Sequence, residues 1–269
     1  MKPLDHDRQT TLITGASSGI GAEFARQLAE LGSDVVLVAR RADRLEELAS
    51  ALRTQHAVSA TPIATDLSAD APGTFLREEV QRRGITITSV INNAGFGTWG
   101  RFHDEDPARL RRMIAVDITA LTDISRAFLP ALRTNGTGYL MNIASVAAYS
   151  PIPNQAAYSA AKAYVLSLTE ALWAESRGTG LRVMAFSPGV TRTEYFDVVG
   201  STDATGGSSY QSAAQAVSNA LRAIQRRNPP PSSVSGWGNH ALAASSRLLS
   251  RRWVVSLTAR NTLRDSRNR

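Results

Sequence analysis

Between residues 10 and 200 the chain alternates short, apolar, β-branched runs with longer amphipathic stretches, and no other property narrows the fold as much. The spacing predicts strands at Thr11–Thr14, Val35–Ala39, Val58–Ile63, Ile87–Ile91, Tyr139–Ile143 and Arg182–Phe186. It predicts helices over Ile20–Leu31, Arg44–Thr54, Thr74–Arg82, Pro107–Arg133 and Ala156–Glu175. Strands that are apolar at consecutive positions are covered on both faces, whereas half-exposed strands alternate. Repeated strand–helix–strand units then give a parallel sheet joined by right-handed crossovers, with helices on both faces. The expected class is α/β, a single doubly wound parallel sheet. No internal repeat is visible in the sequence, which excludes a solenoid or propeller.

The texture changes after Phe196. Gly200–Ser209 is rich in small polar residues, Ser212–Arg227 is again helical, and Asn228-Pro229-Pro230-Pro231 stops it. A last strand near Ser232–Ser235 precedes arginine-studded helices from about His240 to Ala259. The 269 residues are therefore expected to form one domain over 1–236, with a loop at about 194–211, and a helical extension at 237–269.

Charge divides along the same line. The net charge is +7, yet from Arg222 onward ten arginines face one acid, Asp265, so that segment carries +9 and the body −2. A nucleic-acid binder spreads its basic residues over core elements, so no nucleic acid is expected as a partner. In the extension, Leu242, Leu248, Leu249, Trp253, Val254, Val255 and Leu257 lie among the arginines. Such a stripe either packs on its own subunit or makes a peripheral contact with a membrane or acidic partner. With no cysteine there is no disulfide, no thiolate nucleophile and no Cys-ligated metal, and no metal site is expected. The polar start, MKPLDHDRQT, lacks a signal-peptide core, and no apolar run approaches bilayer length; a soluble, cytoplasmic protein is expected.

Two patterns carry chemistry. The first strand runs into Thr14-Gly15-Ala16-Ser17-Ser18-Gly19-Ile20-Gly21 and then a helix. Glycines at such a junction let the backbone turn tightly and approach a phosphate, and the helix N-terminus offers amide donors and the positive end of its dipole. The second pattern is Ser145 followed by Tyr158-Ser159-Ala160-Ala161-Lys162. Residues i and i+4 share a helix face, and an ammonium beside a phenol favours the phenolate, so the pair can act as a general acid/base near neutral pH. Lys2 and Lys162 are the only lysines in an arginine-rich chain, which marks the ammonium at 162 as a requirement arginine does not meet.

The motifs TGASSGIG at 14–21, Asp66-Leu67, Asn92-Asn93-Ala94-Gly95, Ser145, Tyr158-x-x-x-Lys162 and Pro188-Gly189-Val190-Thr191-Arg192-Thr193 occur in order. Over about residues 8–195 the sequence thereby resembles the short-chain dehydrogenase/reductase family, in its bacterial, NADPH-linked subgroup. The resemblance implies a Rossmann-type fold, NADP(H) as cofactor and a homo-oligomer (dimer or tetramer). It implies that Tyr158 exchanges a proton with the substrate oxygen, that Lys162 tunes Tyr158 and holds the nicotinamide ribose, and that Ser145 hydrogen-bonds the substrate carbonyl. Gly15, Ser17, Ser18, Gly19, Ile20 and Gly21 would cradle the phosphates, and Asp66 and Leu67 would line the adenine pocket. Asn93 would help hold the sheet and the ribose beside Ala94 and Gly95. Val190 and Thr193, with Pro188 and Gly189, would position the carboxamide. Arg40 and Arg41 stand where NAD enzymes of this architecture place an acid for the ribose 2′-hydroxyl, and a guanidinium suits a 2′-phosphate instead. The next acid, Asp43, is read as the N-cap of the following helix.

One position departs from the family pattern. Val116-Asp117-Ile118-Thr119-Ala120 stands where the family has V-N-x-x-A, whose Asn supports a kink and a water linking the lysine to solvent. Aspartate accepts but cannot donate, and its charge partly offsets the pull of the ammonium on Tyr158; Asp117 is therefore counted with the catalytic residues. Phe96, Trp99, Val146, Tyr149, Tyr195 and Phe196 are the expected substrate walls, which suggests a small lipophilic carbonyl compound or secondary alcohol. A 3-oxoacyl thioester reductase and a cofactor-binding protein without turnover are the alternatives.

Overall fold

The computed structural model describes residues 4–194, 199 and 210–264. Its strands are β1 (Thr10–Thr14), β2 (Asp34–Ala39), β3 (Ala60–Ala64), β4 (Ser89–Asn92), β5 (Tyr139–Ile143), β6 (Arg182–Ser187) and β7 (Ser232–Val234). They form one sheet in the order β3-β2-β1-β4-β5-β6-β7, and every pairing is parallel. The chain winds outward from β1 in one direction and returns at β4 to wind in the other. The crossovers on either side of β1 and β4 diverge, and a crevice opens at the carboxyl ends of these two strands.

Adjacent strand residues bury on opposite faces, which is why the strands read as unbroken apolar runs. Ile13, Leu37 and Met141 pack beneath α1 (Gly19–Glu30), α2 (Ala42–His56) and α7 (Ala213–Ile224), through Phe24, Leu28, Leu45, Val217 and Leu221. Their neighbours Leu12, Val36 and Leu140 pack beneath α3 (Pro72–Arg82) and α5 (Leu121–Asn135), through Leu76, Ile124 and Phe128. The helix α6 (Ala156–Glu175) lies on this second face, where Leu172 and Trp173 close the layer. The last of these helices on the first face, α7, starts with a reciprocal capping box between Ser212 and Gln215.

The structure corrects several sequence expectations. The stretch Pro107–Arg133 is not one α-helix: α4 (Pro107–Ile114) passes through a π-helical turn at Ala115–Ala120 into α5. The wider turn rotates Asp117 inward, where it is buried. Asp43 is not a cap; Arg41 occupies the N-cap with extended backbone and Asp43 lies within the first turn of α2, where its charge faces the helix dipole. The third and fourth strands start later than the apolar pattern suggests, at Ala60 and Ser89. The final helices are α8 (Trp237–Leu248) and α9 (Arg251–Arg264), starting three residues before the expected His240. The first packs on β7 and on the 3-10 turn Val146–Tyr149, and the second is tied down by Thr258 Oγ1 donating to Pro151 O at 3.0 Å. Among the described residues no helix is long and apolar enough to cross a membrane. Most of the 194–211 loop, with Tyr195 and Phe196, and the side chains of Leu242 and Leu248 lie outside the described residues.

Candidate active site

A cleft of about 820 Å³ occupies the crevice. Its floor is the turn after β1. Gly15 and Gly19 adopt φ of +68° and +56°, and a Cβ at Gly15 would lie 2.8 Å from Asn93 Nδ2 and 2.9 Å from Ala94 Cα. Only glycine fits there. Gly21 serves packing: a Cβ would run into Gly15 O and Asn93. Ser18 is the N-cap of α1, yet its side chain makes no capping bond to the first amides of the helix.

The neighbouring strand end is locked to this turn. Thr14 Oγ1 accepts from the amides of Asn93 (2.9 Å) and Ala94 (3.0 Å), and Asn93 Nδ2 donates to Thr14 O at 3.0 Å. Asn93 thus holds β4 against β1 with its side-chain amide. One layer in, Asn92 Nδ2 bonds Asn142 Oδ1 and Ser125 Oγ.

Guanidinium groups dominate the outer rim, where Arg40, Arg41, Arg109 and Arg112 line the cleft. Arg41 Nη2 donates to Ser17 Oγ at 3.0 Å and Ser18 Oγ at 2.8 Å, while its Nη1 donates to Glu194 at 3.0 Å. Arg44 Nη1 reaches the other oxygen of Glu194 at 2.6 Å. Hydrogen bonds from Arg44 and then Arg41 pull the Glu194 carboxyl down to about 2. On the opposite wall, Asp66 accepts from the Ser68 amide and hydroxyl, which hold its carboxyl below the usual range.

At the inner end, Tyr158 and Lys162 are both buried on one face of α6, with the Lys162 Nζ 5.7 Å from the centre of the Tyr158 ring. Lys162 Nζ donates to Ile143 O at 3.3 Å and lies 3.1 Å from Asp117 Oδ2, while Asp117 Oδ1 accepts from the Phe96 amide at 3.0 Å. Lys162 and Asp117 therefore form a direct ion pair, because the π-helical turn carries the carboxylate to the ammonium. Burial by itself would lower the lysine; the Asp117 charge and then Tyr158 outweigh it and hold Lys162 above its ordinary value. Burial pushes the Asp117 carboxyl up, against the opposing pull of Lys162 and the Phe96 amide. A Cβ at Gly95 would come within 3.0 Å of both Asp117 oxygens and 3.1 Å of Lys162 Nζ, so this glycine makes room for the pair.

The cleft gathers Gly15, Ser17, Ser18, Gly19, Ile20, Arg40, Arg41, Asp66, Leu67, Asn93, Ala94, Gly95, Tyr158, Lys162, Pro188 and Thr193. Gly21, Asp117, Ser145, Gly189 and Val190 do not line it. Ser145 follows the lining residue Ala144 and caps the Val146–Tyr149 turn, its Oγ accepting from Ala147 N at 3.1 Å. Gly189 faces α8, where a Cβ would strike Asn239, and Val190 O accepts from Gln211 N. Of the expected walls, Phe96 lines the cleft, whereas Tyr149 packs beside Leu166 and Ala185. Sequence reasoning missed Glu194, Arg109 and Arg112. The two arginines are one turn apart on α4, a spacing that could have flagged them; Glu194 carried no local signal.

A family model described as short chain dehydrogenase matches residues 9–204. Sulfoacetaldehyde reductase 2 from Chromohalobacter salexigens is 34% identical over 186 residues, spanning 68% of this chain and 73% of that protein. The NADP-dependent 3-hydroxy acid dehydrogenase of Schizosaccharomyces pombe is 32% identical over 194 residues, spanning 70% and 74%. Among solved structures, a short-chain dehydrogenase from Sphingobium yanoikuyae in complex with NADPH is similar at a TM-score of 0.79 and 33% identity, covering 89% of this chain and 94% of that one. The match extends through both halves of the sheet, from the β1 turn past the end of β6, and the protein belongs to the short-chain dehydrogenase/reductase family of oxidoreductases.

Proposed function

We propose that the protein interconverts a small lipophilic carbonyl compound and its secondary alcohol, with NADP(H) as hydride carrier. The observation that carries this reading is the presence of Tyr158 and Lys162 in one cleft with the glycine turn and Arg41. The residues present fit the cofactor: a turn with no room for a Cβ, a helix end without a side-chain cap, and guanidinium groups rather than an acid after β2.

Bound NADP(H) supplies or takes up the hydride. Gly15, Ser17, Ser18, Gly19 and Ile20 would hold its pyrophosphate at the α1 N-terminus, Arg40 and Arg41 its 2′-phosphate, and Asp66 and Leu67 its adenine. Asn93, Ala94 and Gly95 would form the floor beneath the ribose, and Pro188 and Thr193 would bound the nicotinamide end, with Gly189 and Val190 outside the cleft lining. In the reducing direction Tyr158 Oη gives its proton to the substrate oxygen as negative charge develops there, and Ser145 Oγ hydrogen-bonds the same oxygen. Lys162 steadies the phenolate that remains, and Asp117 keeps Lys162 charged and in place. Oxidation runs the same steps backwards. Residues 1–236 are the catalytic domain, a division supported by β7 ending the sheet at Val234, and 237–269 are an extension.

An NADPH-oxidation screen against ketones, aldehydes and 3-oxoacyl thioesters tests this reading, with Tyr158→Phe as control. Turnover with lipophilic ketones should fall by ~10²-fold or more in the variant while NADPH still binds. Undiminished turnover would assign the proton transfer to another group; turnover of thioesters alone would replace the substrate class.

A further inference from the structure

We infer that the α8–α9 extension is a surface anchor that seats this protein on membranes containing anionic phospholipid. Of the eleven large apolar side chains exposed on the described surface, five lie between Trp237 and Leu257: Trp237, Leu249, Trp253, Val255 and Leu257. They fall within 21 residues on and between the two helices of the extension, whereas the other six are spread over the rest of the chain, and such a concentration of exposed apolar groups signals contact with something else. The attachment of α9 explains the direction they face. One stripe, Val254, Thr258 and Thr262, turns toward the body, with Thr258 bonded to Pro151 O. The face opposite that stripe carries Trp253, 66% exposed, with Leu257 and Arg260 at i+4 and i+7, and Val255, Arg251 and Arg252 are also exposed.

Charge complementarity selects the occupant. No acidic residue occurs between Asp203 and Asp265, whereas eight arginines do. A second copy docking through the same face would set arginine against arginine with no carboxylate between them. Nucleic acid would satisfy the arginines and stack on the tryptophans, but it offers nothing to Leu249, Val255 and Leu257. A bilayer interface takes all three kinds of group. Indole rings sit at headgroup depth, aliphatic side chains enter the acyl boundary, and guanidinium groups meet lipid phosphate.

The anchor lies on the substrate side of the cleft, since α8 rests on the Val146–Tyr149 turn that Ser145 caps, and α9 rests on Pro151. A lipophilic substrate dissolved in the bilayer would reach the enzyme from that side. This last step rests on the substrate class proposed above; the anchoring does not.

Co-sedimentation of the full-length protein with phosphatidylcholine vesicles, with and without phosphatidylglycerol, tests the anchor. Binding is expected to the anionic vesicles only, and to weaken steeply as salt is raised. Two double variants separate the apolar and ionic parts: Trp253→Ser with Leu257→Ser, and Arg251→Glu with Arg252→Glu. Each should weaken binding by on the order of 10-fold or more. All four side chains are exposed, so NADPH binding in solution should be unchanged in both, which shows that the fold is intact. Equal binding to both vesicle types, or wild-type binding in either folded variant, overturns the inference. A dimer in solution that the Trp253/Leu257 variant splits would give the face to a second copy. Tighter binding to single-stranded nucleic acid than to anionic vesicles would give it to that polymer instead.

Discussion

Two carboxylate–cation contacts, one behind the inner end of the cleft and one at its rim, have nearly the same length and opposite surroundings. Asp117 lies 3.1 Å from Lys162 with both side chains almost wholly out of solvent. Glu194 lies 3.0 Å from Arg41 and 2.6 Å from Arg44, and all three side chains are about two-fifths exposed. Distance does not distinguish the two; water does. In the interior each charge has lost its hydration, and removing one partner strands the other. At the rim water replaces whatever leaves and salt screens what stays. The carboxyl groups respond accordingly: burial pushes Asp117 up even beside an ammonium, whereas guanidinium hydrogen bonds draw Glu194 down to about 2. An expensive contact fixes one geometry around Lys162. A cheap one suits a place that an anionic ligand must enter and leave.

The largest effect should come from breaking the inner pair. Asp117→Ala leaves a buried ammonium without its counter-charge and should cost about 3 kcal/mol of stability, with a fall in Tm of roughly 6–12 °C. Denaturant melts of the two proteins measure it. A loss no greater than that of a surface substitution would mean that water reaches Lys162, and the contrast between the two contacts would collapse. Asp117→Asn separates charge from shape, since the amide keeps the size and an acceptor for the Phe96 amide. It removes the negative charge that offsets Lys162 at the Tyr158 phenol. With Lys162 still protonated, the alkaline rise in alcohol oxidation should move to lower pH while carbonyl reduction near neutrality changes less; a move to higher pH would show that Lys162 loses its own proton once Asp117 no longer offsets burial. Superimposable pH–rate profiles would show that Asp117 holds Lys162 in place without tuning the proton transfer.

At the rim the next largest effect is on the cofactor. Arg41→Ala should weaken NADPH binding by about 10-fold, equivalent to ~1.4 kcal/mol, and leave NADH binding nearly unchanged. Fluorescence titration of both cofactors measures this. Equal losses for the two would place Arg41 on the pyrophosphate or on Ser17 and Ser18 alone, and the 2′-phosphate would need another partner.

How much of this was legible in the sequence differs between the same two places. The glycine turn, Tyr158 and Lys162 are local patterns whose spacing states their geometry, so the sheet, its crevice and the Tyr158–Lys162 pair could be read directly. The neighbourhood of Asp117 could be read only in part. A residue was visibly out of pattern, but the π-helical turn that brings it to Lys162 arises from packing between α4, α5 and α6, and period alone reads a continuous helix there. Glu194 was not legible. It meets Arg41 across 153 positions of sequence, and nothing around Thr193 marks its partner. Strand starts were misplaced by about two residues for a related reason: Val58 and Ile87 are apolar enough to extend the run, but they pack at the edge of the sheet before the ladder begins.

The smallest effect is expected from Glu194→Gln, and its direction is the informative part. The carboxylate occupies Arg41 Nη1, on the same guanidinium that the proposed 2′-phosphate uses. Two anions on one guanidinium repel, so removing one should favour the other. NADPH should bind about 3-fold tighter in the variant and NADH about as before, with the difference fading as salt is raised. Stability should hardly change, because the contact is exposed. Acid titration adds a check on sign. The carboxyl is depressed from 4.5 to about 2, so the contribution of the contact is fully present above 4.5 and is lost only as pH falls toward 2. Between about pH 7 and 9, where the 2′-phosphate monoester is itself essentially fully ionised, the wild type and Glu194→Gln should therefore differ by a constant ratio of NADPH affinities. A ratio that drifts with pH in that range would mean that another titrating group shares Arg41. Weaker binding of both cofactors in the variant would show that the rim contact steadies the cleft for its ligand, and so acts in the same sense as the buried pair.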